Sequence, residues 1–407
     1  MTLTLLLDLD DTCLGNSMDT FIPAYLEALG EHLAAYVPPD KMVPTLLAST
    51  QLMLQNKSPD RRLKQVFDQA FFPTLGIDAD DFQNQIDSFY VEKFPSLEGL
   101  TQFRPEAVRM VEEAFARGYN VVIATNPLFP LTAILQRLDW AGLPPQRYPF
   151  SLIPSYESFF FAKPNTAFFA ETLSRLGWPE GPVVMVGDDL NLDINPARQL
   201  GLGTFWINNN EQPSKDNPHA SDGHGTLAEL HPWLDATPRE HLLPDYTHPE
   251  GMLAILRSTP AVLEAISGDL DKPTWTKHTE PDEWSFTEIL CHFRDVDAEV
   301  NLPRIVGVLQ ETNPFIPGID TDQWADERLY FCQNGREALD DFISSRIQLL
   351  DILDNLKPDD WTRPARHAIF GPTVLKELIS IIVGHDRLHI RQVHTSLGEI
   401  MQLSVNN

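Results

Sequence analysis

Two groups of residues in this chain have the types and spacing for chemistry. Asp8 and Asp10 follow a short apolar run in "LLLDLDDTCLG". Side chains alternate along a strand, so positions two apart point to the same side and place two carboxylates at one strand mouth, followed by Asp11 and Thr12. A second acidic cluster, Asp188, Asp189 and Asp193 in "GDDLNLD", follows another apolar run. Facing carboxylates repel unless a cation lies between them, and a hard divalent ion with oxygen ligands, Mg²⁺, would satisfy them. Thr125 and Asn126 end "VVIATN" and offer a hydroxyl and an amide to an anion's oxygens, while Lys163 in "FAKPN" supplies one positive charge. Each fragment alone also reads as a capping turn or a solvated lysine. Their order, each after a strand, argues for one site.

The second group is nitrogenous. His385 and His389 in "GHDRLHIR" lie four residues apart, on one helix face. His292 sits in "EILCHFRDVDAE" beside Leu290, Phe293 and Val296, at a spacing that points it inward. Metal sites in bundles arise from such inward side chains on facing helices, and imidazoles suit transition metals. Core packing is the alternative. Cys291 adjoins His292 but projects about 100° away around the helix, which excludes a shared site. Asp295 and Asp386 are expected to be solvated acids rather than supports for the histidines. His278, His367 and His394 are expected in packing or surface roles, and Trp275, Trp284, Trp324 and Trp361 as packing for loops.

The elements that must position these residues alternate. "LTLLL", "NVVIATN", "GPVVMVGDDL" and "GTFWINN" read as buried strands, separated by amphipathic helices such as "EAVRMVEEAFARGY" and "NTAFFAETLSRLGW". This pattern predicts a parallel sheet with helices on both faces, and ligands in such sheets bind at the carboxyl ends of the strands. Residues from about 15 to 100 show only helical spacing and form an insertion. Residues 209–225 are polar and read as a long loop. Beyond a proline-bearing linker at 236–249 come four helical segments, most simply a four-helix bundle over 250–407. The predicted fold class is α/β plus all-α, with a doubly wound parallel sheet over 1–235 followed by the bundle.

Bulk properties narrow the function. A chain of 407 residues is too long for one core. A formal charge of −28 repels nucleic acid and anionic membrane surfaces. No apolar run is long enough to span a bilayer, and the N-terminus has no basic region of the kind that opens a signal peptide. Three cysteines at 13, 291 and 332 are widely spaced and form no disulfide framework, which suits a reducing cytoplasm.

The order D-x-D-x-T from Asp8, strand-ending Thr125, Lys163 and GDDxxxD from Gly187 resembles the haloacid dehalogenase-like phosphohydrolases over about residues 1–235. The helical insertion looks like that family's type-one cap. The resemblance implies that Asp8 is the nucleophile, forming an aspartyl-phosphate, and that Asp10 is the general acid/base. It implies that Thr125 and Lys163 hold phosphoryl oxygens. Asp188, with Asp8 and the backbone of Asp10, would bind Mg²⁺, supported by Asp189 or Asp193. The full acidic set favours phosphate chemistry over dehalogenation, on a small phosphorylated metabolite.

"EILCHFRDVD", "FGPTVLKEL" and "GHDRLHIRQV" together resemble the DinB/YfiT-like metal-binding bundles over about 250–400. That resemblance implies His292, His385 and His389 as ligands of Zn²⁺ or Ni²⁺, or of Mn²⁺ or Fe²⁺, with a position left open. Some members of that family are thiol-dependent transferases or isomerases. Three uses of the bundle follow: an appended metal centre, a module for metal or thiol binding or for homodimerisation, or a second enzyme. The two ligand sets differ in kind, so two separate sites are expected.

Overall fold

A computed structural model of the chain describes residues 1–208, 221–280 and 283–405; most of the loop expected at 209–225 lies outside the described residues. The chain divides into two compact units. One comprises Met1–Lys57, Arg61–Thr172 and Pro179–Tyr246, and the other is mainly Thr247–Asn407, with Ser58–Asp60 and Leu173–Trp178.

The first unit is built on a five-stranded parallel sheet. Thr4–Leu7 lies between Asn120–Ile123 and Val183–Gly187, and Gly203–Ile207 and then Gly223–Gly225 extend the far side. All four residues of Thr4–Leu7 and all five of Val183–Gly187 are buried. A parallel strand covered on both faces must be apolar throughout, which is why these segments read as unbroken hydrophobic runs. Leu5 faces Val121 on one side and Val184 on the other, so the strands end together and present Asp8, Thr125 and Asp188 along one edge.

The insertion leaves and rejoins this sheet through a two-strand neck, Leu14–Gly15 paired antiparallel with Gln102–Phe103. Four helices lie between: Met18–Leu33, Pro39–Gln55, Leu63–Leu75 and Ala79–Glu92. Their shared core is aromatic, with Phe21, Phe71, Phe89 and Phe94 buried. Phe94 stacks on Trp140 at 5.3 Å, joining the insertion to the helix Leu131–Trp140. Each such pair adds roughly 0.5–1.5 kcal/mol beyond area burial.

The second unit is helical. Pro249–Asp269, Phe286–Val296, Gly335–Leu353 and Leu375–Val405 form the bundle. Ser285 and Glu288 make a reciprocal capping box that fixes where the second helix starts. That helix continues through a π-turn, Asp297–Asn301, into Leu302–Gln310. The few strand signals in this half conceal a small sheet of Phe315–Ile316, Pro364–His367 and Gly371–Val374. Pro364–His367 alternates exposed and buried side chains, but over too few residues to stand out from a turn.

Candidate functional site

The strand ends of the first unit converge on a cavity of about 390 Å³ lined by Asp8, Asp10, Thr125, Asn126, Arg137, Lys163, Asp188, Asp189 and Asp193. Lys163 is buried at its base. Its Nζ donates to Asp8 Oδ1 at 2.7 Å and to Asp193 Oδ1 at 2.5 Å. Ligand-type oxygens of Asp8, Asp188 and Asp193 lie within 4.8 Å of one another. Gly187 permits this approach, since a side chain there would collide with the Asp193 carboxylate. The Thr12 hydroxyl donates to Asp188 Oδ1 at 3.0 Å, and Trp206 Nε1 holds the Asp188 carbonyl at 2.7 Å.

Crowding dominates the electrostatics. Burial and the charge of Asp193 push the Asp8 carboxyl up to about 7, against the opposing pull of Lys163. Burial and Asp8 push Asp188 to about 7 as well. Burial also raises Asp193. Burial alone would lower Lys163, but Asp193 and Asp8 outweigh it and hold the ammonium charged. Three acids with one cation therefore hold protons more readily than free carboxylates do, a crowding that a divalent ion would relieve, and their all-oxygen donor set fits Mg²⁺.

Other members of the predicted set have different tasks. Asp10 Oδ2 is paired with Arg137 at 2.5 Å and its Oδ1 accepts from Asn16 Nδ2 at 2.8 Å. Both oxygens of its carboxylate are thus engaged by partners outside the three-acid cluster. Of the two expected supports, Asp189 caps a turn. Its Oδ1 accepts from the backbone of Asn191 at 2.7 Å and Leu192 at 3.1 Å, capping the π-turn Leu190–Ile194. Asp193, at the inner face of that turn, takes the position beside Lys163. Asn126 Oδ1 accepts from the Lys163 amide at 3.2 Å, and its Nδ2 donates to the Lys163 carbonyl at 3.4 Å. Asn126 therefore fixes the lysine loop and keeps one amide hydrogen for an anion. Thr125 is buried in the same cavity.

Arg137 was missed in the sequence. It is 1% exposed, and its guanidinium lies 4.7 Å from the centre of the Phe129 ring. The available signal was its place in an apolar stripe with Ala133, Ile134 and Leu138. A charge on that stripe must meet a partner inside. Arg104 was also missed; it anchors the loop after Asp10 by donating to the Thr12 carbonyl at 2.9 Å.

In the second unit, the helix Phe286–Val296 brings His292 to His385 and His389 of Leu375–Val405. His292 Nε2 and His385 Nε2 are 2.9 Å apart, and ligand-type nitrogens of all three lie within 4.8 Å. Trp284 covers them, lying parallel to His389 at 5.8 Å and 4.8 Å from His292. His389 Nδ1 is fixed by Gln392 Oε1 at 2.9 Å. Burial, then His385, holds His292 far below the ordinary histidine value and lowers His389 to about 4. Neutral imidazoles with converging nitrogens are what a transition metal requires, so the donor set fits such an ion. Cys291 points elsewhere, with Sγ 3.7 Å from Gln333 Oε1.

Two expectations here are corrected. Asp386 is fully buried rather than solvated, because Arg346 binds it and Asp297 together. Asp295 is buried too, accepting from Arg294 at 2.6 Å, Arg328 at 2.7 Å and Tyr330 at 2.8 Å. Arg294 adjoins Asp295 in the sequence, but Arg328 and Arg346 do not stand out by spacing. His367 has the expected packing role: its ring stacks on Phe370, and its Nδ1 accepts from the Ile369 amide at 3.2 Å.

A parallel sheet with an acidic site at its strand ends and a helical insertion after the first strand defines a hydrolase domain, and the helical unit defines a four-helix bundle. Residues 2–201 match the haloacid dehalogenase-like hydrolase family and residues 255–393 match the DinB superfamily, so the chain joins one domain of each. Among similar proteins, ribulose-1,5-bisphosphate 5-phosphatase of Halopiger xanaduensis is 32% identical over 108 residues, 26% of this chain and 43% of that protein. Phosphoserine phosphatase of Thermus thermophilus is 30% identical over 117 residues, 29% of this chain and 44% of that protein. The chain thus spans less than half the length of either relative. YfiT from Bacillus subtilis, described as an unusual four-helix bundle, is 17% identical; the match covers 40% of this chain and 93% of YfiT, with a TM-score of 0.35.

Proposed function

We propose that the first unit is a Mg²⁺-dependent phosphohydrolase acting on a small phosphate monoester through an aspartyl-phosphate at Asp8. The observation that carries this reading is Lys163 Nζ, bonded to Asp8 at 2.7 Å within a cavity that also holds Asp188, Asp193 and Thr125. The relatives named as phosphatases support the same class of reaction.

Asp8, Asp188 and Asp193 would hold Mg²⁺, which cancels the repulsion between a carboxylate nucleophile and a phosphoryl group. Lys163 has one N–H left for a phosphoryl oxygen, and the Thr125 hydroxyl is placed for another. Asp8 attacks phosphorus, the bond to the leaving oxygen breaks, and Asp10 supplies the proton to that oxygen. Asp10 then takes a proton from water as the water attacks the aspartyl-phosphate, releasing phosphate and restoring Asp8. Arg137 and Asn16 hold Asp10 in position for both transfers.

The reading extends to the whole chain. His292, His385 and His389 hold a divalent transition metal, Zn²⁺ or Ni²⁺ among the candidates. The domains run from 1 to about 235 and from about 250, with a linker at 236–249. The bundle also offers a route to a homodimer. Among the described residues no helix is long and apolar enough to cross a membrane. Three free cysteines, two of them buried, suit a reducing cytoplasm.

Phosphate release with Mg²⁺, wild type beside Asp8→Asn, tests the first site. The expected loss is on the order of a thousandfold or more. Full turnover in the variant would refute the mechanism. Metal analysis of full-length His292→Ala tests the second site: bound transition metal should fall sharply, and unchanged content would remove His292 from the ligand set.

A further inference from the structure

The catalytic cavity does not end at the carboxylates. Ile22, Leu128 and Phe129 line it, and the same three residues line a second cavity of about 180 Å³ inside the helical insertion. The two cavities therefore adjoin, with these three apolar side chains at their boundary. The second cavity is walled by Leu29, Leu46, Met53, Phe67, Phe71 and Ile86. No charged side chain lines it among the described residues. Two of its polar groups, the Tyr25 and Tyr90 hydroxyls, bond each other at 2.9 Å. A sugar, amino acid or carboxylate leaving group would lose its hydration there and gain few partners, which is costly.

Size and lining agree. An engineered apolar cavity of about 150 Å³ stays dry and binds benzene, so this volume suits an aromatic ring or a short alkyl chain. Geometry gives the direction of binding. Lys163 and Thr125 would hold the phosphoryl group at one end, and Phe129, which lines both cavities, would lie beside the alcohol part of a monoester extending away from Asp8. Phe129 is itself braced, edge-on to Tyr25 at 5.2 Å and against Arg137 at 4.7 Å.

Resting on the phosphohydrolase reading above, we infer that the substrate is a phosphate monoester of an apolar alcohol, with its hydrocarbon part in the cavity of the helical insertion. Hydrolysis would add water across the P–O bond and release inorganic phosphate and the alcohol, with no further reactant.

The test is phosphate release by the full chain with Mg²⁺ from ethyl, butyl and hexyl phosphate, beside glycerol phosphate and phosphoserine. Burial of each methylene should raise kcat/KM about fourfold, until the cavity is full. Thr50→Trp projects a large side chain into the cavity and should flatten the series; its turnover of ethyl phosphate reports that the catalytic site has folded. Ile86→Ala enlarges the cavity and should move the optimum to a longer chain. A flat wild-type series, or a preference for the hydroxylated esters, would overturn the inference and leave the phosphohydrolase reading standing, with the cavity a packing void. A wild-type preference that neither variant alters would place the hydrocarbon elsewhere and also overturn it. No turnover of any ester would remove the phosphohydrolase reading, and the inference with it.

Discussion

Each unit of this chain buries a cation between two aspartates, and the two arrangements differ in one respect. In the bundle, Arg346 uses all five of its N–H groups. It bonds Asp297 through Nε at 2.6 Å and Nη2 at 3.0 Å, Asp386 through both terminal nitrogens, and the Leu256 carbonyl at 3.0 Å. Asn301 adds a further bond to Asp297 at 2.8 Å. In the sheet unit, Lys163 bonds Asp8 and Asp193 but keeps its third N–H without a partner among the described residues, and Asp188 stands by with no cation of its own. The planar fork of arginine closes a network, whereas the point charge of lysine leaves one open. A satisfied buried network specifies packing. An unsatisfied one beside a cavity is a place for a ligand.

The largest effect should come from removing each cation. Breaking a buried pair by deleting one partner costs about 3–5 kcal/mol. Arg346→Met should therefore strongly destabilise the bundle, and Mg²⁺ should not recover it, because Arg346, Asp297 and Asp386 are all fully buried. Lys163→Met should cost less, since Asp8 and Asp193 can retain protons, and Mg²⁺ should restore part of the loss. Denaturant unfolding of both variants, with and without Mg²⁺, decides the matter. Equal rescue of the two would erase the distinction.

What the sequence disclosed follows the same division. Acids at strand ends are readable because the period of a strand is short and the apolar run before them is unbroken. His385 and His389 are readable from their four-residue spacing. The partners of these groups were not readable. Arg137, Arg346 and Arg328 each pair with an acid at least 33 positions away, and such pairs leave no local pattern. The roles of Asp189 and Asp193 also needed coordinates. A π-turn inserts an extra residue, so helical spacing cannot say which of the two faces inward. A second π-turn places Asp297 against Arg346 in the same way.

The acidic cluster and the histidine cluster should respond to pH with opposite sign when metal-free. Asp188 has its folded value raised from 3.8 to about 7. Its contribution to stability is complete below the unfolded value and is lost as pH rises through about 7. His389 has its folded value lowered from 6.5 to about 4, and His292 lies lower still. Their contribution is complete above the unfolded value and is lost as pH falls from 6.5 through about 4. Calorimetry of the chelator-treated chain at acidic, neutral and mildly alkaline pH should show two transitions moving in opposite directions. Added Mg²⁺ should flatten the transition that weakens at higher pH. Transitions that move together would mean that the acids are not crowded, or that the histidines are not buried neutral.

The smallest effect separates neighbours four residues apart. Asp189 caps a turn through two backbone amides, and losing such a cap costs about 1 kcal/mol. Asp193 pairs with Lys163 inside the cavity. Asp189→Ala should therefore lower stability slightly and leave Mg²⁺ affinity within about a factor of three, because no ligand oxygen is removed. Asp193→Ala should weaken Mg²⁺ at least tenfold, through the missing oxygen and through a Lys163 drawn onto Asp8 alone. Mg²⁺ titrations of the two variants, followed by calorimetry, give the ratio directly. Were Asp189→Ala the more damaging of the two, the π-turn would have to open on metal binding and exchange one aspartate for the other.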